Sequence, residues 1–110
     1  MKRETLQKKE ILRKRKEIER VKRKGKRMED ELFIVHYFPG KREVCFGVRG
    51  KIPEATERNF LKRRLREVYR RNKELFPAHL SYFLGAKRKA LILPFSIFRE
   101  RLLDLVQRCQ

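Results

Sequence analysis

The stretch ERNFLKRRLREVYRRNK, Glu57 to Lys73, decides how the rest of the chain is read. It is dense in cations, yet Phe60, Leu61, Leu65, Val68 and Tyr69 recur at helical spacing. On a wheel of ~100° per residue, Leu61, Leu65, Val68, Tyr69, Leu75 and Phe76 share one arc, which should face a core. Asn59, Lys62, Arg63, Arg66, Arg70 and Lys73 share the adjoining arc. Glu67 and Glu74 lie toward its far edge, each within a turn of a cation. The pattern predicts a helix from about Glu54 to Phe76. Pro53 suits its first turn, Glu54 and Glu57 suit the positive end of its dipole, and Pro77 stops it.

A stripe of one charge sign needs a reason. Like charges at i,i+4, Lys62 with Arg66 and Arg66 with Arg70, repel, and a face that only kept the helix in water would mix its signs. Phosphates relieve the repulsion, and release of their counterions adds affinity. Arg outnumbers Lys here, which favours forked contacts to phosphates and base edges. Asn59 is a poor residue for a helix interior. An amide among arginines can donate to and accept from a 2′-hydroxyl, a base edge or a hydrated metal ion.

The whole chain points the same way. Its 110 residues carry 32 Lys plus Arg against 14 Asp plus Glu, a net charge of +18. Self-repulsion on that scale favours a polyanionic partner. With 40% hydrophobic residues, a single domain with a modest core is expected. No apolar run approaches the ~20 residues that span a bilayer. The sequence is charged from Lys2 and shows no apolar signal segment. Nucleic acid, not membrane, is the expected partner, and the cytoplasm the expected compartment. Cys45 and Cys109 lie far apart and read as two ordinary thiols in a reducing environment.

Outward from the helix, Glu31–Phe38 and Val44–Val48 read as strands joined through the Pro39-Gly40 turn, an antiparallel hairpin. Leu80–Leu84 and Lys89–Leu93 could each be a strand. Phe95, Phe98, Leu102, Leu105, Val106 and Cys109 recur at helical spacing, so Pro94–Arg108 reads as a second amphipathic helix. At the start, Ile11, Ile18 and Val21 fall on one arc of a basic helix that Gly25 could end, with residues 1–10 as a flexible basic arm. The order is helix, hairpin, long helix, strand, helix: a small α+β domain.

Catalytic equipment is lacking. The one acidic run, Glu29-Asp30-Glu31, reads as a solvated turn. His36 and His79 stand alone, and no phosphate-cradling glycine loop occurs. A DNA-binding basic helix would need leucine heptads to dimerise, and the first 26 residues lack them. A structural RNA-binding protein of ribosomal type remains open on composition.

Residues Arg58-Asn59-x-x-Lys62-Arg63-x-x-Arg66-Glu67-x-x-Arg70, extended back to Ala55 and Lys51, resemble the signature of the bacterial ribonuclease P protein subunit, K-x-G-N-A-x-x-R-N-x-x-K-R-x-x-R-E-x-x-R. The resemblance covers about Leu12 to Leu105. It implies an αβββαβα domain, ribosomal-protein-like, with a left-handed βαβ crossover around the signature helix. It makes Leu80–Lys87 the last strand and Ala90–Leu93 a loop. It implies support of a ribozyme: the RNA subunit removes the 5′ leader of precursor tRNA with Mg2+, and the chain carries neither catalytic residues nor a metal site of its own. The expected partners are ribonuclease P RNA and precursor tRNA, the chain itself being monomeric. By position, Lys51, Arg58, Asn59, Lys62, Arg63, Arg66 and Arg70 should contact RNA. Ile18, Lys22 and His36 fall on leader-cleft positions that are often aromatic in the family. Pro53-Glu54 departs from the family's Gly-Asn.

Overall fold

The central element is the strand Leu80–Lys87, whose side chains are buried from Leu80 through Ala86. A strand buried on both faces must pair its backbone on both edges, because unpaired buried N–H and C=O groups are costly. The computed structural model, which describes residues 25–109, shows how. In chain order its elements are β1 (Lys26–Glu29), β2 (Phe33–Pro39), β3 (Glu43–Arg49), α1 (Ala55–Arg71), β4 (Leu80–Lys87) and α2 (Phe95–Arg108). The sheet order is β1-β2-β4-β3. β4 runs antiparallel to β2, with His36 opposite Phe83, and parallel to β3, with Gly47 opposite Gly85.

This corrects the hairpin. β2 and β3 follow each other in sequence but do not pair, because β4 enters between them. Parallel neighbours need a long crossover, and here α1 supplies it, giving the βαβ unit that the resemblance implied. The true hairpin is β1–β2, with Lys26 opposite Tyr37 and Glu29 opposite Ile34. Its turn is built by Asp30, whose carboxylate accepts the backbone N–H groups of Leu32 and Phe33, each at 2.8 Å. Of the acidic run, only Asp30 and Glu31 lie in the turn, which the Asp side chain closes, while Glu29 ends β1. The N-terminal basic helix, its arm over residues 1–10, and Ile18 and Lys22 lie outside the described residues.

Alternation sorts the sheet into two faces. Phe33, Val35, Val44, Tyr82, Leu84 and Ala86 join Leu61, Leu65, Val68, Tyr69, Phe98, Leu102 and Val106 in the main core. Aromatic rings lock it: Phe33 meets Phe98 edge-on at 4.9 Å, and Phe76 meets Tyr69 at 4.9 Å and Tyr82 at 5.4 Å. On the face away from α1 and α2, Ile34 and Phe83 form a smaller cluster with Phe38 and Cys45.

The long helix is shorter than its periodicity suggests. It ends at Arg71, and Asn72 leaves helical geometry at φ −133° and ψ 35°. The Asn72 amide donates to the Val68 carbonyl at 2.8 Å, and Asn side chains that bond nearby backbone compete with the helix. A 3-10 turn, Lys73–Leu75, follows. Phe76 still reaches the core, but Leu75 is only half-buried and Lys73 leaves the helical stripe. Pro53 precedes the helix instead of entering its first turn, and Glu54 is the capping residue. α2 begins one residue after Pro94, and Arg88–Ile92 forms a 3-10 turn where the family pattern implies a loop. The two cysteines form no disulfide, Cys45 being half-buried and Cys109 buried. Burial pushes the Cys109 thiol up to about 12, so it stays protonated and inert.

Candidate nucleic-acid interface

α1 presents its faces as charge and burial require. Leu61, Leu65, Val68 and Tyr69 are buried. Asn59, Arg63 and Arg66 are exposed and Lys62 and Arg70 half-buried, on the adjoining side. Just before the helix, Gly50 takes φ +86°, a left-handed conformation natural to glycine. It turns the chain out of β3. Lys51 is then exposed, while Ile52, only 4% exposed, plugs the core and anchors the loop. Lys51 thus lies in the loop that leads into α1, and Asn59, Lys62, Arg63, Arg66 and Arg70 share one side of the helix.

Arg58 differs. Its Nη1 donates to the carbonyls of Ile52 and Pro53, each at 2.8 Å. That geometry ties the incoming loop to the first turn of α1, so its guanidinium is partly committed to the fold. Arg70 is also committed. Its Nε donates to Glu67 Oε1 at 3.2 Å, and Arg71 Nε donates to Glu67 Oε2 at 2.5 Å. Hydrogen bonds from Arg70, then from Arg71, hold the Glu67 carboxyl below the usual carboxylate range. Glu67 therefore orients two arginines at the C-terminal end of the stripe. Arg66 lies 5.7 Å from the centroid of the Phe46 ring, a cation–π contact that steadies an exposed side chain.

His36 falls on the other side of the molecule, on the sheet face away from the helices. It is 8% exposed and packs edge-on against Phe83 at 5.7 Å. Phe83 was not foreseen at this place. It is seated there by glycines: a Cβ on Gly47 would come within 2.9 Å of the Phe83 ring, and one on Gly85 within 2.8 Å of Ile34 and 3.0 Å of Phe83. Glycine inside an apolar strand signals such close approach, and Gly47 and Gly85 carried that signal. At one end of this face the Lys87 ammonium pairs with Glu29 at 2.5 Å and donates to the Asp30 carbonyl at 2.7 Å. The Lys87 hydrogen bond, with the charges of Lys87, Arg27 and Arg49, pulls the Glu29 carboxyl below its ordinary value. A cationic end therefore adjoins the aromatic pair.

Among the described residues, no group of three or more His, Cys, Asp or Glu side chains could hold a metal ion, and no helix is long and apolar enough to cross a membrane. What the surface offers is forked donors in a row on one side and rings beside cations on the other.

Comparison with known proteins agrees with that chemistry. The family model for ribonuclease P matches residues 6–110. A ribonuclease P protein component from Petrotoga mobilis is 34% identical over 97% of each chain, and one from Pelotomaculum thermopropionicum is 33% identical over 92% of this chain and 93% of its own. The solved ribonuclease P protein from Thermotoga maritima superposes with a TM-score of 0.76 at 31% identity, over 90% of this chain and 96% of that one. The chain belongs to the family of bacterial ribonuclease P protein subunits, the protein components of the endoribonuclease that processes tRNA.

Proposed function

We propose that the chain binds ribonuclease P RNA along the α1 stripe and holds the 5′ leader of precursor tRNA near the opposite sheet face, so aiding RNA-catalysed removal of that leader in the cytoplasm. The observation that carries this reading is the run of exposed Asn59, Arg63 and Arg66 with half-buried Lys62, set on a helix whose other side is locked into the core, and exposed Lys51 in the loop that leads into it. Phosphates satisfy that row, and the forked guanidiniums of Arg63 and Arg66 suit them. Arg70 joins them under the hold of Glu67. Arg58 acts chiefly by holding the Lys51 loop in register.

The leader runs along the face that carries His36. His36 and Phe83 form the buried floor with half-buried Phe38 packed against it, and Arg27, Arg49 and Lys87 supply charge. Stacking on rings beside a cationic track is how proteins hold single strands without reading sequence. The Mg2+ of the reaction belongs to the RNA, and no protein side chain takes part in bond breaking. The experiment is reconstitution: the chain should restore precursor-tRNA cleavage by a bacterial ribonuclease P RNA at a Mg2+ concentration where the RNA alone is slow. No rescue by folded protein with competent RNA would overturn the reading.

A further inference from the structure

α1 has a third side, between its core arc and its cationic stripe. There Arg63, Arg64, Glu67 and Arg71, with Phe95 of α2, line an open concavity of about 290 Å³. That is close to the ~300 Å³ at which small-ligand clefts begin. The lining is held firmly. The Arg64 guanidinium sits 4.5 Å from the Phe60 centroid, 5.7 Å from Phe95 and 5.6 Å from Phe98, and its Nη1 donates to the Leu93 carbonyl at 2.5 Å. Phe95 in turn lies nearly parallel to Phe98, at 13° and 6.4 Å. Arg63 and Arg71 remain exposed at the rim.

The charge pattern selects the occupant. The Glu67 carboxylate, held by Arg70 and Arg71, offsets part of the cationic charge inside, while the exposed guanidiniums of Arg63 and Arg71 attract an anion at the rim. A neutral flat ring with a phosphate on either side meets both demands. A second copy of this chain does not, since it brings +18 of its own charge. Arg63 belongs both to the rim and to the stripe, so a polynucleotide lying on the stripe passes the opening.

We infer that this concavity takes one unstacked nucleobase of the bound RNA, its ring against Phe95 and its flanking phosphates on Arg63 and Arg71. The inference rests on the RNA-binding reading above and adds a subsite to it. Every base has a π face, so no sequence preference is required.

The test measures binding of the full chain to a bacterial ribonuclease P RNA across a salt series. Phe95→Leu keeps the apolar seal over Phe98 and loses the stack. It should bind about tenfold more weakly with an unchanged salt slope, while Phe95→Tyr, which keeps a π face, should bind like the parent. Leu and Tyr variants of equal affinity would overturn the subsite and leave the stripe standing. No saturable binding by the parent chain would overturn the RNA reading itself. Ultraviolet cross-linking of the parent complex gives a second measure that needs no variant to fold. A nucleotide adduct on Phe95 supports the subsite, and adducts confined to the stripe and Lys51 refute it.

Discussion

Arg58→Ala separates a folding role from a binding role at a position that the family signature assigns to RNA. In the structure Arg58 Nη1 bridges the carbonyls of Ile52 and Pro53, each at 2.8 Å. A hydrogen bond to a charged group contributes about 1.5–3 kcal/mol. One nitrogen serves both carbonyls here and the side chain is half-buried, so the pair counts as little more than one bond, about 2 kcal/mol. At about 2.1 cal/mol/K per residue, each kcal/mol moves the Tm of a 110-residue domain by roughly 4 °C, so Arg58→Ala should lower Tm by about 8 °C. Arg58→Lys restores charge without the fork, and should recover RNA affinity more than Tm. Thermal unfolding followed by circular dichroism, with RNA binding measured well below the variant's Tm, reads both quantities. A variant that melts with the parent yet binds as weakly as Arg63→Ala would refute the staple and return Arg58 to the set of direct contacts.

The exposed stripe behaves oppositely: Arg63→Ala and Arg66→Ala should each leave stability within ~0.5 kcal/mol and weaken RNA binding, checked by parallel melts and binding isotherms. Gly85→Ala forces a methyl to within 2.8 Å of buried Ile34 and 3.0 Å of Phe83. Overpacking of that kind costs about 1–3 kcal/mol, which denaturant titration would show as a lowered midpoint with an unchanged slope. Glu67→Gln removes a carboxylate whose folded pKa is depressed by Arg70 and Arg71. A depressed group adds stability above its unfolded pKa of ~4.3 and loses it as pH falls through the folded value. The parent should therefore exceed the Gln variant by ~0.2–1 kcal/mol near pH 7, and the gap should close below pH 4 in an acid titration of both.

How much of this was legible depends on the range of each interaction. α1 was readable because its faces repeat within a few residues: Leu61, Leu65 and Val68 had to turn one way and Lys62, Arg63 and Arg66 another. The placement of β4 was not readable from residues, because strand partners are chosen across the fold; only the family pattern put Leu80–Lys87 in the sheet. Lys26–Glu29 hid as a strand because three of its four side chains are charged, and edge strands need little hydrophobicity. The end of α1 turned on one amide, Asn72, that a helical wheel treats as neutral. At the interface, spacing located Lys62, Arg63 and Arg66, but could not show that Arg58 spends its guanidinium on carbonyls or that Arg64 lies among three phenylalanines. The sheet face was underestimated for the same reason: the ring beside His36 comes from β4, across a register only the folded sheet defines.

The central claim is that the α1 stripe meets phosphates. The direct measurement is the slope of log K against log salt for binding a bacterial ribonuclease P RNA, compared between the parent chain and a variant with Lys62, Arg63 and Arg66 all replaced by alanine. Each phosphate contact contributes about 0.7–0.9 to the slope, so the triple variant should be shallower by about 2–3 while melting like the parent. A parent slope near zero, or an equal slope in the two proteins, would contradict the account.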